Sequence, residues 1–141
     1  MLCPLFAMEQ REKVLVVDDD VDACELISTV LGQLGFEIDV AADGYEALRK
    51  LRSASPDIVL TDLQMPGMNG IELIGALRQM HLSLPVILMT GADTQDLCTS
   101  AEAYGAVACL AKPINLDQLI WKIESTLACQ GRSRGRYAAA V

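Results

Sequence analysis

Ile58-Val59-Leu60-Thr61-Asp62-Leu63-Gln64-Met65-Pro66-Gly67-Met68-Asn69-Gly70 is the stretch from which the fold is read. A run of β-branched and large apolar residues bounded by turn formers reads as a fully buried strand. The run delivers one carboxylate, Asp62, and the chain breaks at once into a Pro/Gly turn. A carboxylate at the end of a buried strand is costly unless something pairs with it. The rest of the chain must therefore bring partners to Asp62.

Upstream, Lys13-Val14-Leu15-Val16-Val17 is a short apolar strand that runs into Asp18-Asp19-Asp20. Asp20 is placed to cap a helix carrying Leu26, Ile27, Val30, Leu31 and Leu34, with Gly35 as its left-handed stop. Phe36 to Val40 alternates in polarity, as an edge strand with one wet face does. Asp43-Gly44-Tyr45-Glu46 has the form of a capping box before a helix through Ala47, Leu48 and Leu51, which Ser53 to Pro56 breaks. The central strand follows at Asp57 to Thr61.

Downstream, Asn69 caps a helix with Glu72 three residues on, and Ile71, Leu73, Ile74, Leu77 and Met80 form its buried side. Pro85 to Met89 is a second buried strand, ending at Thr90-Gly91. A helix with a thin stripe (Leu97, Cys98, Ala101, Tyr104) starts at Asp93 or Thr94. Ala106 to Leu110 is the fifth strand, closed by Lys112-Pro113, and Asn115 caps a last helix with Leu116, Leu119, Ile120, Ile123 and Leu127 on one face.

Five strands alternating with five helices specify an α/β fold, a doubly wound five-stranded parallel sheet covered on both faces. With the alternating second strand at an edge and right-handed crossovers, the natural order is 2-1-3-4-5. Ligands in such sheets sit beyond the carboxyl ends of the strands where the order reverses, here between strands one and three.

Bulk properties limit the alternatives. At 141 residues, 52% hydrophobic and 21% charged, the chain is a globular domain of ordinary size. No apolar segment reaches the roughly 20 residues needed to cross a bilayer. The net charge of −8 argues against free nucleic acid or an anionic membrane as the main partner. Arg132, Arg134 and Arg136 make a short basic tail, so residues 1–131 carry 8 basic against 19 acidic residues, or −11. Residues 1–11 read as a loose leader, 12–129 as the domain and 130–141 as a flexible tail or linker. The five cysteines show no C-x-x-C, and the lone His81 completes no zinc set. Most are expected to be reduced, buried small residues of a cytoplasmic protein.

At the rim of the sheet the order collects Asp18 and Asp19 after strand one, Asp62 after strand three, Thr90 after strand four and Lys112 after strand five. Three crowded carboxylates repel unless a cation intervenes. Carboxylates, a backbone carbonyl and waters suit octahedral Mg²⁺, with Lys112 as a fixed positive charge opposite. Asp62 then has two available tasks: metal ligand, or nucleophile towards phosphorus through an aspartyl phosphate.

The chain resembles the receiver domain of bacterial two-component response regulators. The resemblance rests on Val-Leu-Val-Val-Asp-Asp-Asp at 14–20, Leu-Thr-Asp-Leu-Gln-Met-Pro-Gly-Met-Asn-Gly at 60–70, Met-Thr-Gly at 89–91 and Ala-Lys-Pro at 111–113. It implies that Asp62 is the phosphoacceptor, taking a phosphoryl group from a phosphohistidine on a sensor histidine kinase or histidine phosphotransfer protein. It further implies Mg²⁺, with Mn²⁺ as a substitute, held by Asp18, Asp19, Asp62 and the backbone carbonyl of Gln64. Thr90 and Lys112 would bind phosphoryl oxygens, and the bond before Pro113 would be cis. The resemblance implies a signalling phosphoacceptor and not an enzyme. The surface of the fourth helix, fifth strand and fifth helix would switch towards a downstream protein target and could support a homodimer.

Cys109 departs from the pattern, standing where the family commonly has a rotating Tyr or Phe. A small side chain cannot swing as a ring does, so the usual route of transmission does not carry over at this position. Two other readings compete. A haloacid-dehalogenase-like aspartyl phosphatase fits Asp18-Asp19-Asp20-Val21 formally but leaves Asp62 and Met65-Pro66-Gly67 unexplained. A non-phosphorylated adaptor pseudo-receiver is disfavoured because no acid, Thr or Lys is missing. Trp121, off the last helix's apolar stripe, either packs partly exposed or marks a contact surface, where Trp is favoured.

Overall fold

A computed structural model describes residues 11–80, 82–91 and 102–130. Its strands are β1 (Lys13–Val17), β2 (Glu37–Ala41), β3 (Ile58–Asp62), β4 (Val86–Thr90) and β5 (Ala108–Ala111). Its helices are α1 (Val21–Gln33), α2 (Gly44–Ser53), α3 (Gly70–Gln79) and α4 (Leu116–Cys129). The strands form one parallel sheet in the order β2-β1-β3-β4-β5, as the sequence predicts.

The strand period of two divides the sheet into two faces. Val14, Val16, Ile58, Leu60, Ile87, Met89, Ala108 and Leu110 pack under α1 and α4, against Cys24, Ile27, Leu31, Leu119, Ile123 and Leu127. Leu15, Val17, Val59, Val86 and Leu88 pack under α2 and α3, against Ala47, Leu51, Leu73, Ile74 and Leu77. Every residue of β3 and β4 is buried, whereas β2 alternates at its edge. Each fully buried Leu or Ile here contributes about 1.5–3 kcal/mol of transfer free energy.

Caps fix the helix starts. Asp20 accepts from the backbone N–H groups of Asp22 and Ala23, and Asn69 and Glu72 form a complete capping box. At Asp43 only half of the expected box forms. Asp43 accepts from Glu46 N, but the Glu46 carboxylate accepts from Ala42 N, one residue earlier. Gly35 closes α1 with φ 95°, in the left-handed region open to glycine.

Several expectations are corrected. Leu26 and Leu34 are exposed; α1 buries Cys24, Ile27 and Leu31, a stripe that turns them outward. Tyr104 is exposed too. Strands β2, β3, β4 and β5 end one residue later than the patterning predicts, so Asp62 and Thr90 are still in the ladder. Cys129 is exposed. Cys109 is disulfide-bonded, so it is not among the reduced cysteines expected, whereas Cys24 and Cys129 are free. The helix predicted from Asp93 or Thr94 falls outside the described residues except for helical Glu102 and Ala103, as do His81, residues 1–10 and the tail from 131 on. Among the described residues no helix is long and apolar enough to cross a membrane.

Candidate functional site

Because side chains alternate along a strand, Asp62 follows Ile58 and Leu60 onto the α1/α4 face. Asp18 continues the row of Val14 and Val16, and Lys112 that of Ala108 and Leu110. Three elements distant in sequence thus deliver their charges to one side of the rim. Thr90 has the opposite parity to Ile87 and Met89, and so does Cys109 to Ala108 and Leu110; these two meet, Cys109 Sγ lying 3.9 Å from Thr90 Oγ1.

Carboxylate oxygens of Asp18, Asp19 and Asp62 all lie within 4.8 Å of one another. Lys112 Nζ stands 3.1 Å from Asp18 Oδ2 and 3.2 Å from Asp62 Oδ2. The Asp18 side chain is fully enclosed and that of Asp62 only 11% exposed, whereas Asp19 faces solvent. Burial pushes the Asp62 carboxyl pKa up; the Lys112 charge opposes this and the Asp18 carboxylate adds to it. Burial works against the Lys112 ammonium, but the hydrogen bond and charge of Asp18, then Asp62, outweigh it and its pKa is raised.

The donor set answers for a divalent cation. Three carboxylates within 4.8 Å, two of them buried, carry more negative charge than one lysine offsets. Hard oxygen donors of this kind fit Mg²⁺, whose charge would draw the Asp62 pKa back down.

The backbone completes the rim. Leu63 N donates to Met89 O at 2.8 Å, Gly70 N to Leu63 O at 2.9 Å, and Gln64 N to Asp62 Oδ1 at 3.3 Å. The bond between Lys112 and Pro113 is cis, as expected, and Lys112 N donates to Thr90 O at 2.6 Å. The structure therefore brings Asp18, Asp19, Asp62 and Lys112 into one cluster. Thr90 is buried at the end of the neighbouring strand, and Gln64 lies two residues beyond Asp62.

Two residues were not singled out from sequence. Cys24 donates its thiol to Asp18 O at 3.4 Å and has its pKa raised to about 11 by burial and by Asp18 and Asp20. Gly70 leaves no room for a side chain, since a Cβ there would stand 2.8 Å from Asp62 O. The glycine after the Asn69 cap was the available signal for that close approach. A separate cleft lined by Lys13, Glu37, Asp39 and Lys50 contains none of the site residues.

The family model of the response regulator receiver domain matches residues 14–124. The DNA-binding transcriptional regulator NtrC of Escherichia coli K12 is 36% identical over 119 residues, covering 84% of this chain and 25% of that protein. The DNA-binding response regulator MtrA of Mycobacterium leprae is 37% identical over 118 residues, covering 83% of this chain and 52% of MtrA. The chain thus spans about a quarter to half the length of these relatives. Among solved structures, the receiver domain of the Francisella response regulator 1452 superposes with a TM-score of 0.76 at 33% identity, covering 80% of this chain and 93% of that one.

Proposed function

The chain belongs to the response regulator receiver domain family, and on that premise we propose that it is the phosphoacceptor of a two-component phosphorelay, with Asp62 as the residue phosphorylated. The receiver unit is residues 12–129, with 1–11 and 130–141 flanking it. Receiver domains are signalling modules and not classical enzymes, so the proposed chemistry is one stoichiometric transfer and its slow reversal.

The observation that carries the reading is the Lys112 ammonium 3.2 Å from Asp62, beside three carboxylates within 4.8 Å of each other. Asp18, Asp19, Asp62 and the Gln64 carbonyl would hold Mg²⁺, with Mn²⁺ as substitute. When bound there, the cation neutralises charge on the transferred phosphoryl oxygens. An Asp62 oxygen attacks phosphorus of a phosphohistidine on a sensor histidine kinase or histidine phosphotransfer protein. The P–N bond breaks and the imidazole leaves with its electron pair, taking up a proton. Lys112 shifts from the carboxylates towards one phosphoryl oxygen, and the Thr90 hydroxyl donates to another. Ionised Asp62 is the nucleophile, and cation and lysine together keep it ionised against burial.

The switched surface includes β5 and α4, where Trp121 is exposed beside Cys109 and Lys122. A downstream protein, or a second copy of the chain, is its proposed reader. With Cys109 disulfide-bonded and within 3.9 Å of the Thr90 hydroxyl, movement of Thr90 is transmitted through that sulfur and not through a rotating ring.

The test is incubation with Mg²⁺ and acetyl phosphate, followed by intact mass. Wild type is expected to gain one phosphoryl group that is labile to base and to hydroxylamine, and Asp62→Asn none. No adduct on wild type, or an equal adduct on the variant, overturns the reading. Repeated turnover of a phosphomonoester would favour a haloacid-dehalogenase-like phosphatase.

A further inference from the structure

We propose that Tyr45 and Met68 form a clasp, seated on Gly44 and Gly67, that holds the loop after β3 in its cation-binding shape. They are positioning residues for the Gln64 carbonyl and for Asp62. The proposal rests on the reading of the acidic cluster as a Mg²⁺ site given above.

The loop from Leu63 to Gly70 is tied at its two ends, by Leu63 N to Met89 O and by Gly70 N to Leu63 O. Its middle leans on the first turn of α2. A Cβ placed on Gly44 would stand 2.7 Å from Met68 Sδ and 3.0 Å from Met68 Cβ, so the methionine lies flat on the glycine and leaves no space for a methyl. Reciprocally, a Cβ on Gly67 would stand 3.0 Å from Tyr45 Cε2, so the tyrosine ring covers the backbone of Gly67. Gly67 has φ 80°, which fixes the turn in a form that a side-chain-bearing residue rarely adopts. Two consecutive residues of α2 thus grip two consecutive residues of the loop.

Burial in the core does not account for Tyr45. It is 61% exposed, yet its ring edge is set against the turn. Met68, by contrast, is partly buried and reaches the apolar cluster under α2 and α3. The platform beneath them is stiff, because Asp43 accepts from Glu46 N at 2.8 Å and Glu46 accepts from Ala42 N at 3.3 Å. From the clasp the constraint passes along three residues to Gln64, whose N–H donates to Asp62 Oδ1 at 3.3 Å. Groups that orient metal ligands without touching the metal typically alter affinity by about 10–100-fold when removed.

The test compares Tyr45→Ala, Tyr45→Phe, Gly44→Ala and Gly44→Ala/Met68→Ala with wild type. Three quantities are read: Mg²⁺ Kd by calorimetry, the melting temperature in chelator, and amide hydrogen exchange of residues 64–69 in metal-free protein. Tyr45→Ala is expected to weaken Mg²⁺ about tenfold and speed exchange in 64–69, with the metal-free melting temperature unchanged. Tyr45→Phe keeps the ring edge and is expected to match wild type. Gly44→Ala is expected to weaken Mg²⁺ similarly by displacing Met68, and Gly44→Ala/Met68→Ala, which lacks that half of the clasp altogether, to bind no more tightly than Gly44→Ala. Unchanged Mg²⁺ affinity in Tyr45→Ala overturns the proposal. If wild type binds no Mg²⁺, the reading of the acidic cluster fails; loop exchange then decides the clasp alone, and equal exchange in Tyr45→Ala and wild type overturns it.

Discussion

Lys112 Nζ stands 3.2 Å from Asp62 Oδ2, which joins the end of β5 to the end of β3 past the intervening strand. This attraction does not restore an ordinary aspartate. Burial, supported by the Asp18 carboxylate, still leaves the Asp62 pKa raised.

A raised carboxyl pKa means that the folded state holds the proton more tightly than the unfolded chain does. Ionised Asp62 therefore costs stability at neutral pH without a cation. The cost falls away as pH drops through the folded pKa to the unfolded one. Asp62→Asn is expected to raise the metal-free melting temperature at neutral pH by several degrees, corresponding to about 1 kcal/mol. The gain should vanish on acidification, and Mg²⁺ should stabilise wild type but not the variant. Scanning calorimetry with and without chelator checks this; a metal-free variant that melts below wild type at neutral pH contradicts it.

Lys112 offsets the enclosed Asp18 as well as Asp62. Lys112→Gln is expected to cost about 1–3 kcal/mol in metal-free protein, measured by urea unfolding, and to lose less when Mg²⁺ is present. Because the Lys112 pKa is raised, this stabilisation is full below the ordinary lysine pKa and is lost as pH rises through the folded value. Equal losses with and without Mg²⁺ would show that the lysine and the cation do not share the same carboxylates.

The cysteines should separate by reactivity. Cys129 is exposed, and burial raises the Cys24 pKa to about 11, which leaves little thiolate at neutral pH. Alkylation of the folded, unreduced protein is expected at Cys129 first and at Cys24 only on unfolding. Cys109 should be modified only after reduction. Peptide mapping of a labelling time course reads all three; rapid labelling of Cys24 in the folded protein would contradict its burial.

Arg78 ties α3 to the segments on either side of β4. Its guanidinium donates to Leu82 O at 2.8 Å, Leu84 O at 3.1 Å and Gly105 O at 3.2 Å. Arg78→Ala is expected to cost about 1–3 kcal/mol in urea unfolding, and Arg78→Lys to recover little, because one ammonium cannot span the fork. A lysine variant as stable as wild type would contradict the tie.

Strand order, edge strand and charged rim were legible because each depends on a local signal. The continuous apolar run of β3, the alternation of β2 and the turn residues after each strand state where every element sits relative to water. The gathering of Asp18, Asp62 and Lys112 on one face followed from position alone once the order was known. What escaped depends on distances between elements. Leu26 and Leu34 fit a helical apolar pattern, but α1 settles on Cys24, Ile27 and Leu31, and only the packing partner decides between adjacent stripes. The disulfide state of Cys109 and the contact of Met68 with Gly44 are likewise tertiary facts with no sequence spacing to announce them.

The central claim is that Asp62, among the clustered carboxylates, takes the phosphoryl group. Borohydride reduction of protein treated with acetyl phosphate and Mg²⁺, followed by peptide mass spectrometry, reads the position directly, since an aspartyl phosphate is reduced to homoserine. Homoserine at position 62, lost when Mg²⁺ is chelated, is the predicted result. Homoserine at position 18 or 19 instead, or at no position, would contradict the account.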